Sequence, residues 1–81
     1  MHVRLLHFAS FRDAVGRDQE ERELAEGTRV EDLWAALGLE VALFRRFLSI
    51  PPAAVNREYV GSETVLRDGD EVAFLPPVAG G

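Results

Sequence analysis

The sequence predicts an α+β domain in which one mixed sheet wraps around a single main helix. Three observations carry this. The two most apolar strand-like segments, Val3-Arg4-Leu5-Leu6-His7-Phe8 and Glu71-Val72-Ala73-Phe74-Leu75, stand near opposite ends of the chain. Between them lies the clearest helical spacing, Val30, Leu33, Trp34 and Leu37 at i, i+3, i+4 and i+7. The 81 residues, 47% of them hydrophobic, leave room for one core and supply enough apolar material to hold it without staples. Residues 1–77 are therefore assigned to one domain and residues 78–81 to a flexible C-terminal tail.

Each element follows from local chemistry. Apolar side chains on both faces of Val3–Phe8 suit a central strand, or one with a face kept for a partner. Ala9 to Val15 reads as a short helix or turn, ended by Gly16. The polar run Gln19-Glu20-Glu21-Arg22-Glu23-Leu24 suits a charged edge strand or, equally, solvated coil. Thr28 and Glu31 have capping-box spacing ahead of the main helix, and Gly38 stands where a left-handed residue would close it. Val41, Phe44, Phe47 and Leu48 continue a helical spacing that Pro51-Pro52 ends. Ala53-Ala54-Val55-Asn56 and Tyr59-Val60 read as short strands around a turn at Arg57-Glu58, and Leu66-Arg67-Asp68-Gly69-Asp70 as the turn into the last strand. This order is that of a β-grasp, the ubiquitin-like topology, with the first and last strands parallel and adjacent in mid-sheet.

Composition excludes more than it selects. Without Cys there is no disulfide framework, thiolate metal site or Cys nucleophile, and His2 and His7 alone make no His-rich metal site. A net charge of −5 repels nucleic-acid phosphates and anionic lipid, so neither nucleic acid nor membrane is expected as a partner. No apolar run reaches the roughly 20 residues of a membrane helix, and a cytoplasmic location is expected. The nine basic residues are all Arg, which coding bias in a GC-rich genome explains most simply. Phosphate loops, HExxH and nucleophile elbows are missing, and Asp68-Gly69-Asp70-Glu71 lacks the further ligands of a calcium loop. His7, among apolar neighbours, is read as structural or interfacial. No bound cofactor and no metal are expected.

The informative stretch is the end, Phe74-Leu75-Pro76-Pro77-Val78-Ala79-Gly80-Gly81. The paired prolines end the strand and favour an extended exit. Six residues from Pro76 to the carboxylate of Gly81 reach at most about 20 to 22 Å. Val78 and Ala79 are small and Gly80 and Gly81 carry no side chain, so the tip is narrow enough to thread a tunnel and present a carboxylate inside another protein. Phe8, Leu75, Pro76 and Pro77 beside it form a candidate partner surface.

The run from Leu66 to Gly81, with Ala54-Val55-Asn56-Arg57-Glu58-Tyr59-Val60 and Leu6 to Gly16, strongly resembles the MoaD-like small subunits of molybdopterin synthase, ubiquitin-like sulfur carriers. The resemblance covers nearly the whole chain. Family members often carry aromatics where His7 and Leu75 stand here. It implies that an ATP-dependent enzyme adenylylates the Gly81 carboxylate, that sulfur from a donor protein displaces AMP, and that the resulting thiocarboxylate enters the large molybdopterin synthase subunit. There sulfur passes to a cyclic pyranopterin monophosphate in molybdenum cofactor biosynthesis. On this reading Gly81 is the reacting residue, Gly80, Ala79 and Val78 thread the tunnel, and the chain is a non-catalytic subunit of a heterotetramer with two copies of each subunit. ATP is used by the activating enzyme only. A carrier for thiamine or tRNA thiolation, or a ubiquitin-like protein modifier, would share the Gly-Gly end, and a binding module would tolerate its loss.

Overall fold

The computed structural model describes residues 1–77; Val78, Ala79, Gly80 and Gly81, assigned above to the tail, lie outside the described residues. In chain order the elements are β1 (His2–Leu6), α1 (Ala9–Val15), β2 (Gln19–Glu23), α2 (Val30–Glu40), α3 (Ala42–Arg45), β3 (Ala53–Val55), β4 (Glu58–Val60) and β5 (Glu71–Phe74). The strands form one sheet in the order β2-β1-β5-β3-β4. β1 and β5 run parallel side by side, pairing Leu5 with Val72, while β1–β2, β3–β4 and β3–β5 are antiparallel. This is the expected β-grasp, with β2 as the charged edge strand.

Strand alternation sends Val3, Leu5, Val72, Phe74 and Ala53 onto one sheet face, where α2 covers them with Val30, Leu33, Trp34 and Leu37; all are buried. Phe11 of α1 and Phe44 of α3 meet there at 4.8 Å, edge to face, and both adjoin Trp34. The half-buried Phe47 packs edge-on against Phe11 and Trp34 at 5.5 and 5.7 Å, tying the segment after α3 to the core.

Several boundaries differ from expectation. β1 ends at Leu6 instead of Phe8, because Ala9 takes a left-handed φ of 47° that turns the chain, sending Phe8 outward as the N-cap of α1. Gly16 closes α1 as expected, with φ 89° and its N–H on the Arg12 carbonyl at 2.8 Å. Thr28 and Glu31 do not cap α2: the Thr28 hydroxyl donates to the Ala25 carbonyl, and Asp32, one position on, accepts the Arg29 N–H at 2.9 Å. Gly38 is an interior residue of α2, which runs on to Glu40 and stops where Val41 is extended. Its missing side chain makes room for Arg45, whose Nη1 donates to the Gly38 carbonyl at 2.7 Å and whose Cγ would lie 3.3 Å from a Cβ there. The helical spacing through Leu48 also overreached. α3 ends at Arg45, and Leu48 is fully exposed.

The turn joining β3 and β4 falls on Asn56-Arg57, both with positive φ (52° and 70°), as a two-residue hairpin of the right twist requires. Asn56 also locks this hairpin to the last strand. Its Nδ2 donates to Asp70 Oδ1 at 2.9 Å, and its Oδ1 accepts the Glu71 N–H at 3.0 Å. Asp70 Oδ2 in turn accepts the Arg67 N–H, and Asp68 Oδ1 the His2 N–H. The carboxylates of the Asp68-Gly69-Asp70 run thus accept from two backbone N–H groups and the Asn56 amide, in keeping with a turn. Asn56→Ala should cost about 1 to 3 kcal/mol, through two lost hydrogen bonds and a less tolerant left-handed site, read as a lower urea midpoint with unchanged slope.

Candidate functional site

The chain leaves the sheet at the end of β5. Leu75 donates its N–H to the Pro52 carbonyl at 2.9 Å, the last backbone bond of the strand edge. Pro76 and Pro77 have no N–H, so the ladder stops at Leu75, and both prolines border the segment 47–52. Phe74 points into the core while Leu75, on the opposite face, is half-buried.

Phe8, Leu75, Pro76 and Pro77, singled out from sequence, line one groove of about 750 Å³. The structure adds Phe47, Ile50, Pro51, Pro52 and Tyr59 to its walls, residues that sequence reasoning assigned to helix, breaker or strand alone. The Tyr59 signal was available in the alternation. Tyr59 pairs with Ala54, which pairs with Ala73, which pairs with Leu6, so one rung carries small or apolar side chains onto the face away from the helices. Small residues at its centre leave a dimple of about 170 Å³ bordered by Leu6, Phe8, Arg57 and Leu75, contiguous with the groove through Phe8 and Leu75. Phe8 is 46% and Tyr59 75% exposed, large for aromatic groups without a partner. Phe47, on the groove wall, also packs into the aromatic cluster below, which joins the groove to the core.

His7 stands behind this surface, not in it. It is buried, and its Nε2 lies 2.8 Å from Glu20 Oε2. Glu20 Oε1 accepts from Arg22 Nε at 2.7 Å, and Arg22 grips Glu40 at the end of α2 through both terminal nitrogens. The cluster fastens edge strand, central strand and helix together, which agrees with a structural His7. Burial alone would push the Glu20 carboxyl up, but hydrogen bonds from His7 and Arg22 outweigh it and hold the group below its ordinary 4.5. Its hydrogen bond to Arg22 holds Glu40 low as well, against a smaller opposing effect of burial. Both carboxylates therefore stabilise the fold above the ordinary value, and that contribution disappears as pH falls through their depressed folded values. Glu20→Gln should lower the melting temperature near neutral pH, and the gap from the parent should close on titrating below about pH 4.

Among the described residues, no group of three or more His, Asp or Glu is placed to hold a metal ion, and no helix is long and apolar enough to cross a membrane. The described surface offers an apolar groove at the end of β5.

Comparison with known proteins agrees with this layout. A molybdopterin synthase sulfur carrier subunit of Mycobacterium tuberculosis is 40% identical over 80 residues, covering 98% of this chain and 96% of that protein. A protein of the same name from Chlamydomonas reinhardtii is 35% identical over the whole of both chains. A Pyrococcus furiosus structure described as a molybdopterin converting factor subunit 1 superposes with a TM-score of 0.85 at 36% identity, covering 96% of this chain and 99% of that one. The ThiS family model matches residues 5–81, nearly the full length and through the Gly-Gly end, and the chain belongs to the ThiS family.

Proposed function

We propose that this protein is the sulfur carrier subunit of a molybdopterin synthase. The observation that carries the reading is the apolar groove at the root of the C-terminal segment, lined by Phe8, Leu75, Pro76 and Pro77. Full-length likeness to molybdopterin synthase sulfur carrier subunits supports it. The Gly81 carboxylate attacks the α-phosphorus of ATP on an activating enzyme, expelling pyrophosphate and forming an acyl adenylate. A persulfide sulfur of a donor protein then adds to the carbonyl and expels AMP, and a thiol cleaves the S–S bond of the resulting acyl disulfide, leaving the thiocarboxylate and a disulfide. Activation is needed because a carboxylate is a poor electrophile and its oxygen, unlike AMP, a poor leaving group.

The groove and the exposed sheet face then seat the large subunit, two copies of each forming the complex. Val78, Ala79, Gly80 and Gly81 thread into its active site, and the large subunit supplies the groups that pass sulfur to the cyclic pyranopterin monophosphate. The carrier is a consumed co-substrate with no catalytic group of its own. ATP belongs to the activating step, and no cofactor is assigned to this chain. Mixing the thiocarboxylated protein with a large subunit and the pterin precursor tests this. Dithiolene should form in step with return of the carrier to its carboxylate mass, and dithiolene formation that proceeds equally with the unmodified carrier would refute it.

A further inference from the structure

The surface chemistry of the chain bears on where an activated C-terminus can go. An acyl adenylate or thioester reacts with a neutral amine: the carbon–nitrogen bond forms, the bond to AMP or thiol sulfur breaks, and the amine proton passes to water. All nine basic side chains here are guanidinium groups, which stay protonated at any accessible pH and do not act as nucleophiles. The remaining amine is the α-amino group of Met1. It is tied down, donating to the Leu24 carbonyl at 2.8 Å with Glu23 and Glu26 carboxylates at 3.8 and 4.0 Å. To attack, it would have to lose both a proton and this bond, and peel the start of β1 from the chain after β2.

We infer that this protein is a one-way acyl donor: it can transfer its activated C-terminus to sulfur or to amines of other proteins, but copies of it do not acylate one another. The inference rests on the activation chemistry proposed above, yet it can be tested apart from it. Positions with exposed arginines can restore the missing amines. Arg46 and Arg67 are exposed, and among the described residues their guanidinium groups make no hydrogen bond, unlike that of Arg45.

The experiment uses the full chain carrying a C-terminal mercaptoethanesulfonate thioester, made by thiolysis of an intein fusion, so that no activating enzyme is involved. Concentrated samples of the parent and of an Arg46→Lys/Arg67→Lys variant are held near pH 8.5, where about one lysine amine in a hundred is neutral. Covalent products are read by reducing denaturing gel and intact mass, with butylamine uptake showing that the thioester is live. The parent should return only hydrolysed monomer, while the variant should give amide-linked dimers whose junctions map to residues 46 and 67. Dimers of the parent at the variant's rate, or joined through Met1, would overturn the inference. So would a variant that takes up butylamine yet forms no dimer. Failure of enzymatic loading with ATP would count against the proposed function alone and would leave this result standing.

Discussion

Removal of Gly81, or Gly80→Trp, should reduce sulfur transfer to the level of a reaction lacking the carrier, while the thermal midpoint moves by no more than about 3 °C. That is the shift expected for a surface change of about 0.5 kcal/mol in a domain this size. The two effects separate because the core is complete before the tail begins: Phe74 is the last core side chain, and Leu75 makes the last strand-edge bond, to Pro52. Loss of Gly81 displaces the reacting carboxylate by one residue, about 3.5 Å, from where a partner's active site must meet it. A bulky side chain at position 80 instead blocks passage. Calorimetry alongside the transfer assay checks the pair, and a large fall in stability with either change would show that the tail belongs to the fold.

The second large effect concerns the groove. Phe8→Asp or Leu75→Asp places a charge on an apolar wall that the large subunit would cover, where it would be desolvated without a partner. Each should weaken association by at least about 2 kcal/mol, roughly thirtyfold, as for an anchor at the centre of an interface. The half-exposed Phe8 contributes little to the monomer core, so Phe8→Asp should leave monomer stability nearly intact. Titration calorimetry with the large subunit reads the affinity and urea melts read the monomer. Association unchanged by both substitutions would move the interface elsewhere on the molecule.

The fold was legible because its signals were redundant. The apolar spacing of α2 and the apolar character of the first and last strands implied the same core, and Val30, Leu33, Trp34 and Leu37 are buried there with Val3, Leu5, Val72 and Phe74. The errors arose where a local signal had a rival. Gly38 resembled a helix end, but the side chain of Arg45, seven residues on, occupies the space beside it and bonds its carbonyl, and a Cβ at position 38 would sit a tight 3.3 Å from the Arg45 Cγ. Thr28 could cap a helix, yet its hydroxyl found the Ala25 carbonyl first, leaving Asp32 to do so. Periodicity through Phe44 and Phe47 extended naturally to Leu48, but Val41 had already broken the helix and Leu48 points to water.

At the site, sequence named the residues beside the tail because they adjoin it in the chain or in the first strand. Phe47 and Ile50 come from the segment between α3 and β3 that tertiary packing brings there, while the place of Tyr59 follows from the register of β3, β4 and β5. The double role of Phe47, in the aromatic cluster and on the groove wall, is likewise a property of the packed structure.

The most direct measurement is the intact mass of the full chain after incubation with the activating enzyme, ATP and a sulfur donor. One oxygen should be replaced by one sulfur, located on the C-terminal peptide at Gly81, and the exchange should require ATP. An unchanged mass under conditions that load a known carrier, or sulfur located anywhere other than Gly81, would contradict the assignment of this chain as a sulfur carrier.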